Sequence, residues 1–308
     1  MFIHKDSLYH AYWGFIIGDA MGVPYEFTTR KAMKSLPARG MKGGGIHNQL
    51  PGTWSDDSSM MLCVLHNLSE GGNVKDLSKK FIAWYLYGED SPHGEVFDIG
   101  NTTRLALDQI VLGLKPDSTR DVKSSAGNGA LMRCLPYAFM EDYHVGTMQM
   151  CIDNRITHRN ALSTYCCYYY TRLIRSLAEG YDKIKSREYA KGTLRNGWRI
   201  SDDLPNPYLK DFERIFSKRF ENIPEDEIQS TGYVLHTLEA SVWCLINSNS
   251  YEECVLKAIN LGEDTDTIAA LSGALAAVYY KSIPKKWKTK VVKHKWLDAK
   301  FEEWVMNK

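Results

Sequence analysis

The chain has 308 residues, 44% of them apolar, which excludes a disordered or low-complexity protein and leaves material for a sizeable core. Its 38 Lys and Arg balance 37 Asp and Glu, so the overall field neither gathers nor repels a phosphate backbone, and nucleic-acid binding is not expected. Seven cysteines, an odd number without a CxxC pair, read as reduced side chains inside helices and exclude a disulfide frame or zinc site.

The first apolar stretch, Ala11 to Ile17, is short, contains Tyr12 and Trp13, and ends without a small-residue cleavage site. A cytoplasmic protein with no membrane span is therefore expected. This helix stops at Gly22 and Pro24, because proline cannot extend it, and Glu26 follows. Next, Ser55 caps a helix whose first turn holds Asp56 and Asp57, a placement that also suits the helix dipole. Met61, Val64, Leu65 and Leu68 then recur at helical spacing, as do Leu105, Ile110 and Leu112.

Ser124 to Arg133 is a small-residue loop expected to open an apolar helix, where backbone N–H groups can approach a phosphate; a plain glycine turn is the alternative. Thr157-His158 precedes a helical segment, Ala161 to Glu179, closed by Gly180. Between Tyr181 and Pro224 the chain turns polar, with Asp202, Asp203, Pro205, Asn206 and Pro207 breaking it. Phe212, Ile215, Phe216 and Phe220 restore an apolar face, so this is an excursion on one domain spanning 1–308 and not a linker. Leu235, Leu238, Val242 and Leu245 mark a further helix, and Tyr251 to Leu261 another, ended by Gly262. The lysine-rich run from Lys281 to Lys300 reads as the solvated face of a terminal helix. Strand-type alternation is scarce, and the expected fold is all-α, a compact bundle of many helices.

Gly262-Glu263-Asp264-Thr265-Asp266-Thr267 stands directly ahead of the Ala-rich run Ile268 to Tyr280 and offers more oxygen donors than one cap can use. Together with Ser55, Asp56 and Asp57 it makes a second hydroxyl-plus-two-carboxylate triplet, Asp264, Asp266 and Thr267. Oxygen donors suit hard cations, so the two helix starts are candidates to hold one or two Mg²⁺ or Mn²⁺ ions.

The stretches GDAMGVPYEF, GTWSDDSSM, FDIGNTT, GNGALMR, the TH at 157–158 and NLGEDTDT, in this order, resemble the ADP-ribosylglycohydrolases, bacterial members included. The resemblance implies an all-α fold with a metal centre, usually dinuclear, at the base of a cleft that receives ADP-ribose. It makes Ser55, Asp56 and Asp57 one ligand set and Asp264, Asp266 and Thr267 the other. By the same pattern Glu26 is the acidic residue beside the metals and Asp98 an acid near the scissile bond. Ser125, Gly127, Asn128 and Gly129 match the phosphate and ribose loop, and His158 a substrate-side histidine. Departures are Ser55 for the commoner threonine, Leu131 for a small residue and Glu263 for glycine; Ser55 keeps the hydroxyl.

The implied reaction cleaves the bond between C1 of the distal ribose and a protein side chain, arginine being the expected linkage. An ADP-ribosylated protein is the implied partner. Such chemistry calls for an acid on the leaving group and a base for water, roles for which Glu26 and Asp98 are the candidates. Alternatives are a metal hydrolase of phosphoesters, a non-catalytic ADP-ribose-binding relative, and an immunity protein countering an ADP-ribosyltransferase toxin.

Overall fold

A computed structural model describes residues 1–115, 126–196 and 208–307. Its α-helices are α1 (Lys5–Gly22), α2 (Arg30–Ser35), α3 (Asp56–Ser69), α4 (Val74–Tyr87), α5 (Asn101–Val111), α6 (Tyr143–Asn154) and α7 (Ala161–Ala178). There follow α8 (Lys183–Asn196), α9 (Val234–Ile246), α10 (Tyr251–Asn260), α11 (Thr265–Tyr280), α12 (Lys285–Lys288) and α13 (His294–Phe301). Among the described residues β structure is confined to isolated bridges, such as Gly127 with Tyr233, so the fold is all-α as expected. None of these helices is long and apolar enough to cross a membrane.

At the centre α1 lies against α11, and small residues set how closely. A Cβ added to Gly18 would lie 2.1 Å from the Ala269 carbonyl oxygen, and one on Gly14 would lie 2.5 Å from that of Gly273. With alanine and glycine facing these positions, the two backbones meet with no side chain between them. Tyr251 of α10 donates its hydroxyl to the Gly14 carbonyl and Tyr170 of α7 to that of Leu271, both at 3.0 Å. The end of α1 is thereby held beside the start of α11, where Gly22 touches Asp266.

A side chain fixes α3 at the same end. The buried Asp19 carboxylate of α1 accepts the Ser55 and Ser58 N–H groups at 3.0 Å each, and also the Ser58 hydroxyl. Those N–H groups are first-turn donors with no partner inside their own helix. One carboxylate thus docks the start of α3 onto α1, and Asp57 comes within hydrogen-bond reach of Thr267 at the start of α11.

In the segment 208–224, Phe212, Ile215, Phe216 and Phe220 are buried, and the rings of Phe212 and Phe216 lie 6.2 and 6.1 Å from that of Tyr169 in α7. The polar breakers of the excursion, Asp202 to Pro207, lie outside the described residues. Two local expectations change. The small-residue loop opens no α-helix; 3-10 turns at Leu131–Arg133 and Leu135–Phe139 follow it. Pro136 brings no N–H and disfavours helical backbone at the residue before it. The lysine run is two short helices, α12 and α13, parted by Lys293 at φ 57°. Its lysines are mostly exposed as expected, but Trp287 and Leu297 are buried and Lys288 pairs with Asp298 at 2.7 Å.

Candidate active site

The acidic segments, far apart in sequence, meet in one cleft of about 370 Å³. Glu26 reaches it from the turn after α1, Asp56 and Asp57 from the start of α3, Asp98 from the segment before α5, and Asp264, Asp266 and Thr267 from the start of α11. Gly127, Asn128, Gly129 and His158 form the facing wall. Carboxylate oxygens of Asp19, Asp57 and Asp266 lie within 4.8 Å of one another, and so do those of Glu26, Asp264 and Asp266. Asp266 belongs to both groups and is the hub of the cluster.

Crowding and burial make this cluster costly on its own. Burial first, and the Asp266 charge second, push the carboxyls of Asp56, Asp57 and Asp264 well above the usual carboxylate range, and that of Asp19 to about 7. Asp57 Oδ2 accepts the Thr267 hydroxyl at 3.1 Å and the Ser55 hydroxyl at 3.3 Å, whereas its Oδ1 is buried with no hydrogen-bond partner. Buried charge is tolerated when an opposite charge compensates it. An orphan oxygen among crowded carboxylates and hydroxyls suits a divalent, oxygen-preferring cation, and these acidic groups could hold one.

Ser55 stands apart from the other metal candidates. Its hydroxyl accepts the Asp57 N–H at 3.2 Å as the N-cap of α3, and it steadies Asp57 from behind the cleft wall. Ser125 lies outside the described residues. Asn128 points its amide away from the loop, donating to Asp264 Oδ2 at 2.6 Å and Thr237 Oγ1 at 3.1 Å, which ties the loop to α11 and α9. His158 is nearly enclosed, and burial, helped by the Arg133 charge, lowers its pKa to about 3, so the ring is neutral at physiological pH.

Two further residues belong to the site, Asp19 and His47. Asp19 lies within the quoted GDAMGVPYEF motif, but its carboxylate finds α3 only across the fold. His47 sits on a tight turn closed by the Gly44–Gln49 bridge. The turn presses against the end of α1 so closely that a Cβ on Gly45 would lie 2.5 Å from the Pro24 carbonyl oxygen. His47 Nε2 thereby comes 2.5 Å from Glu26 Oε2 and 3.4 Å from Asp98 Oδ1, and a nitrogen facing two carboxylates carries its proton. The bond to Glu26 raises the His47 pKa, while burial leads the upward shift of both acids. The run Gly43-Gly44-Gly45 was the only sequence sign of this turn, and nothing in it points to Glu26.

The ADP-ribosylglycohydrolase family model matches residues 3–308. The chain is 33% identical to an ADP-ribosylarginine hydrolase, Tri1, of Serratia proteamaculans, over 91% of this chain and 73% of that protein. It is 28% identical to the ADP-ribosyl-[dinitrogen reductase] glycohydrolase of Rhodospirillum rubrum, over 94% and 91%. A solved structure described as an ADP-ribosylglycohydrolase-related protein complex superposes with a TM-score of 0.78 at 28% identity, covering 97% of this chain and 96% of that one. With the family's pattern running through the whole fold and its acids gathered in one cleft, the chain belongs to the ADP-ribosylglycohydrolases and is a glycosidic-bond hydrolase.

Proposed function

We propose that this protein removes ADP-ribose from arginine side chains of modified proteins, using Mg²⁺ or Mn²⁺ ions, two of them, held by Asp56, Asp57, Asp264, Asp266 and Thr267 with Ser55 in support. The observation that carries the reading is the meeting of two carboxylate groups, each within 4.8 Å, with the small-residue wall of Gly127, Gly129 and His158 in one cleft. Arginine is preferred because the Serratia relative and its Pseudomonas putida counterpart, 32% identical, are named ADP-ribosylarginine hydrolases. Reversal of a toxin's ADP-ribosylation would use the same site. Residues 1–308 act as one domain, and seven unpaired cysteines suit the reducing cytoplasm.

Bound divalent ions supply positive charge that orients the ribose hydroxyls and acidifies water. The chain's own part is positioning and proton transfer. Bond breaking at C1 develops an oxocarbenium-like sugar that needs an acid on the departing group and a base for water. Glu26 and Asp98 line the cleft beside the carboxylate cluster, Glu26 within 4.8 Å of Asp264 and Asp266, and share these roles, Glu26 foremost. His47 bridges them, fixing the separation of the two carboxyls. Asn128 holds Asp264 and the loop in register, so the ligand's sugar and its phosphates are placed by one rigid frame.

The Gly127–Gly129 loop is the seat of the phosphates. A Cβ on Gly129 would come 2.6 Å from His158 Cε1 and 3.2 Å from Thr103 Oγ1, whereas one on Gly127 would meet only His158 Nε2, at 3.6 Å. Gly129→Val is therefore expected to weaken ADP-ribose binding about tenfold or more, the scale of an overpacked site, and Gly127→Ala to be tolerated. Calorimetry showing unchanged affinity in Gly129→Val would move the ligand elsewhere.

The functional reading is tested by incubating the protein with arginine-linked and serine-linked ADP-ribosyl proteins and a generic phosphodiester. Release of ADP-ribose from the arginine-linked substrate is expected. Cleavage of the phosphodiester with no ADP-ribose released would replace the reading with a phosphoesterase.

A further inference from the structure

Behind the loop wall lies a charge that the reaction as described does not use. Arg133 is 1% exposed, and among the described residues no carboxylate lies within ion-pair distance of its guanidinium; the buried Asp153 carboxylate, which accepts the Tyr137 hydroxyl and the Gln149 amide, acts on it from farther off. Arg133 Nη2 is buried without a hydrogen-bond partner, and its Cζ lies 4.8 Å from the centre of the Phe81 ring. Nη1 donates to the Thr157 hydroxyl at 2.8 Å, and Thr157 Oγ1 lies 2.8 Å from His158 Nδ1. All three side chains are buried, and His158 lines the cleft beside Gly129.

The direction of these bonds follows from donor counting. A guanidinium only donates, so Thr157 Oγ1 accepts from it, and the hydroxyl has one proton left to give. His158 Nδ1 is the other partner the structure shows for that hydroxyl, so Nδ1 accepts and the ring proton sits on Nε2. Nε2 lies on the side of the ring turned to the glycine loop, 3.6 Å from where a Cβ on Gly127 would stand, and His158 lines the cleft with that loop. A buried cation whose carboxylate neighbour, Asp153, is engaged by Tyr137 and Gln149 still favours a further anion nearby. The chain of bonds carries its polarity to His158 on the cleft wall, where an anionic ligand can sit.

We propose that Arg133 and Thr157 are positioning residues that lock neutral His158 as an Nε2–H donor to a pyrophosphate oxygen of the ligand, giving the cleft an anion-holding wall opposite its cation-holding carboxylates. The proposal rests on the reading of the ligand as ADP-ribose. It explains why a histidine too deeply buried to be charged serves an anion, since a fixed neutral donor backed by a buried guanidinium needs no proton from solvent. The pKa of about 3 agrees with this geometry.

Two measurements on the full chain test it. In the ligand-free wild type, ¹⁵N shifts of the His158 ring at neutral pH are expected to show Nε2 protonated and Nδ1 bare. With Mg²⁺ present, calorimetry with ADP-ribose is expected to give about tenfold weaker binding for Thr157→Val, which keeps the shape but removes the link, at the upper end for one hydrogen bond. Thr157→Ser, which restores the hydroxyl, is expected to bind within about twofold of wild type, an outcome that a packing role for the threonine methyl would not give. A protonated Nδ1 in wild type, or undiminished affinity in Thr157→Val, would overturn the proposal while leaving the hydrolase reading standing. Failure of wild type to bind ADP-ribose, with the Nε2–H form observed, would instead strike the reading of the ligand and the assignment of the donor to its pyrophosphate.

Discussion

Replacing Asp266 with alanine is expected to abolish tight Mg²⁺ or Mn²⁺ binding and bring turnover to background, while leaving the protein folded. Asp266 is common to both close groups of carboxylates, so no other single change removes as much of the cluster. Its charge is also the leading neighbour that pushes up the carboxyls of Asp19, Glu26, Asp56, Asp57, Asp98 and Asp264. Taking it away relieves that repulsion, and the thermal midpoint of the metal-free variant should equal or exceed that of metal-free wild type. Wild type should gain about 2.7 kcal/mol from a metal at a hundredfold its Kd, and the variant nothing. Thermal unfolding with and without metal reads both effects. Global unfolding of Asp266→Ala would assign the ion a structural task, and full activity would remove Asp266 from the site.

Glu26→Gln should lower turnover by about 10²- to 10⁴-fold, the usual scale for losing an acid or base. The variant keeps the side chain's size and an oxygen for the His47 N–H, now 2.5 Å from Glu26 Oε2, so fold and turn should be unchanged. ADP-ribose affinity should move far less, because the loop at Gly127–Gly129 and His158 lies on other segments. Turnover and affinity are best measured on one preparation. Near-normal turnover would leave Asp98 as the leading acid/base candidate; loss of turnover together with loss of metal would make Glu26 a support of the metal site.

Most of the fold was legible because its punctuation is local. Ser55 is the N-cap of α3, Gly180 follows the end of α7 at φ 93°, and Gly262 follows that of α10 at φ 78°. The place of Asp56, Asp57, Asp264 and Asp266 at helix starts was legible for the same reason, since dipole and cap favour acids there. Asp19 was not, because a carboxylate in the middle of an apolar helix shows its purpose only when the first turn of another helix is laid against it. His47 was hidden likewise: its turn is fixed by contact between Gly45 and Pro24, up to about 70 Å apart along an extended chain and with no pattern linking the two. The misread helix after the glycine loop had a local cause, Pro136, outweighed in the reading by the apolar run around it.

The pairing of a metal-holding cluster with an ADP-ribose cleft is tested most directly by one time course. ADP-ribose released from an arginine-ADP-ribosylated protein is followed after exhaustive chelation and again after Mg²⁺ or Mn²⁺ is restored. Release should be absent from the chelated protein and return with either ion or both. Undiminished release after chelation would contradict the account, since the carboxylate cluster would then have no part in the reaction.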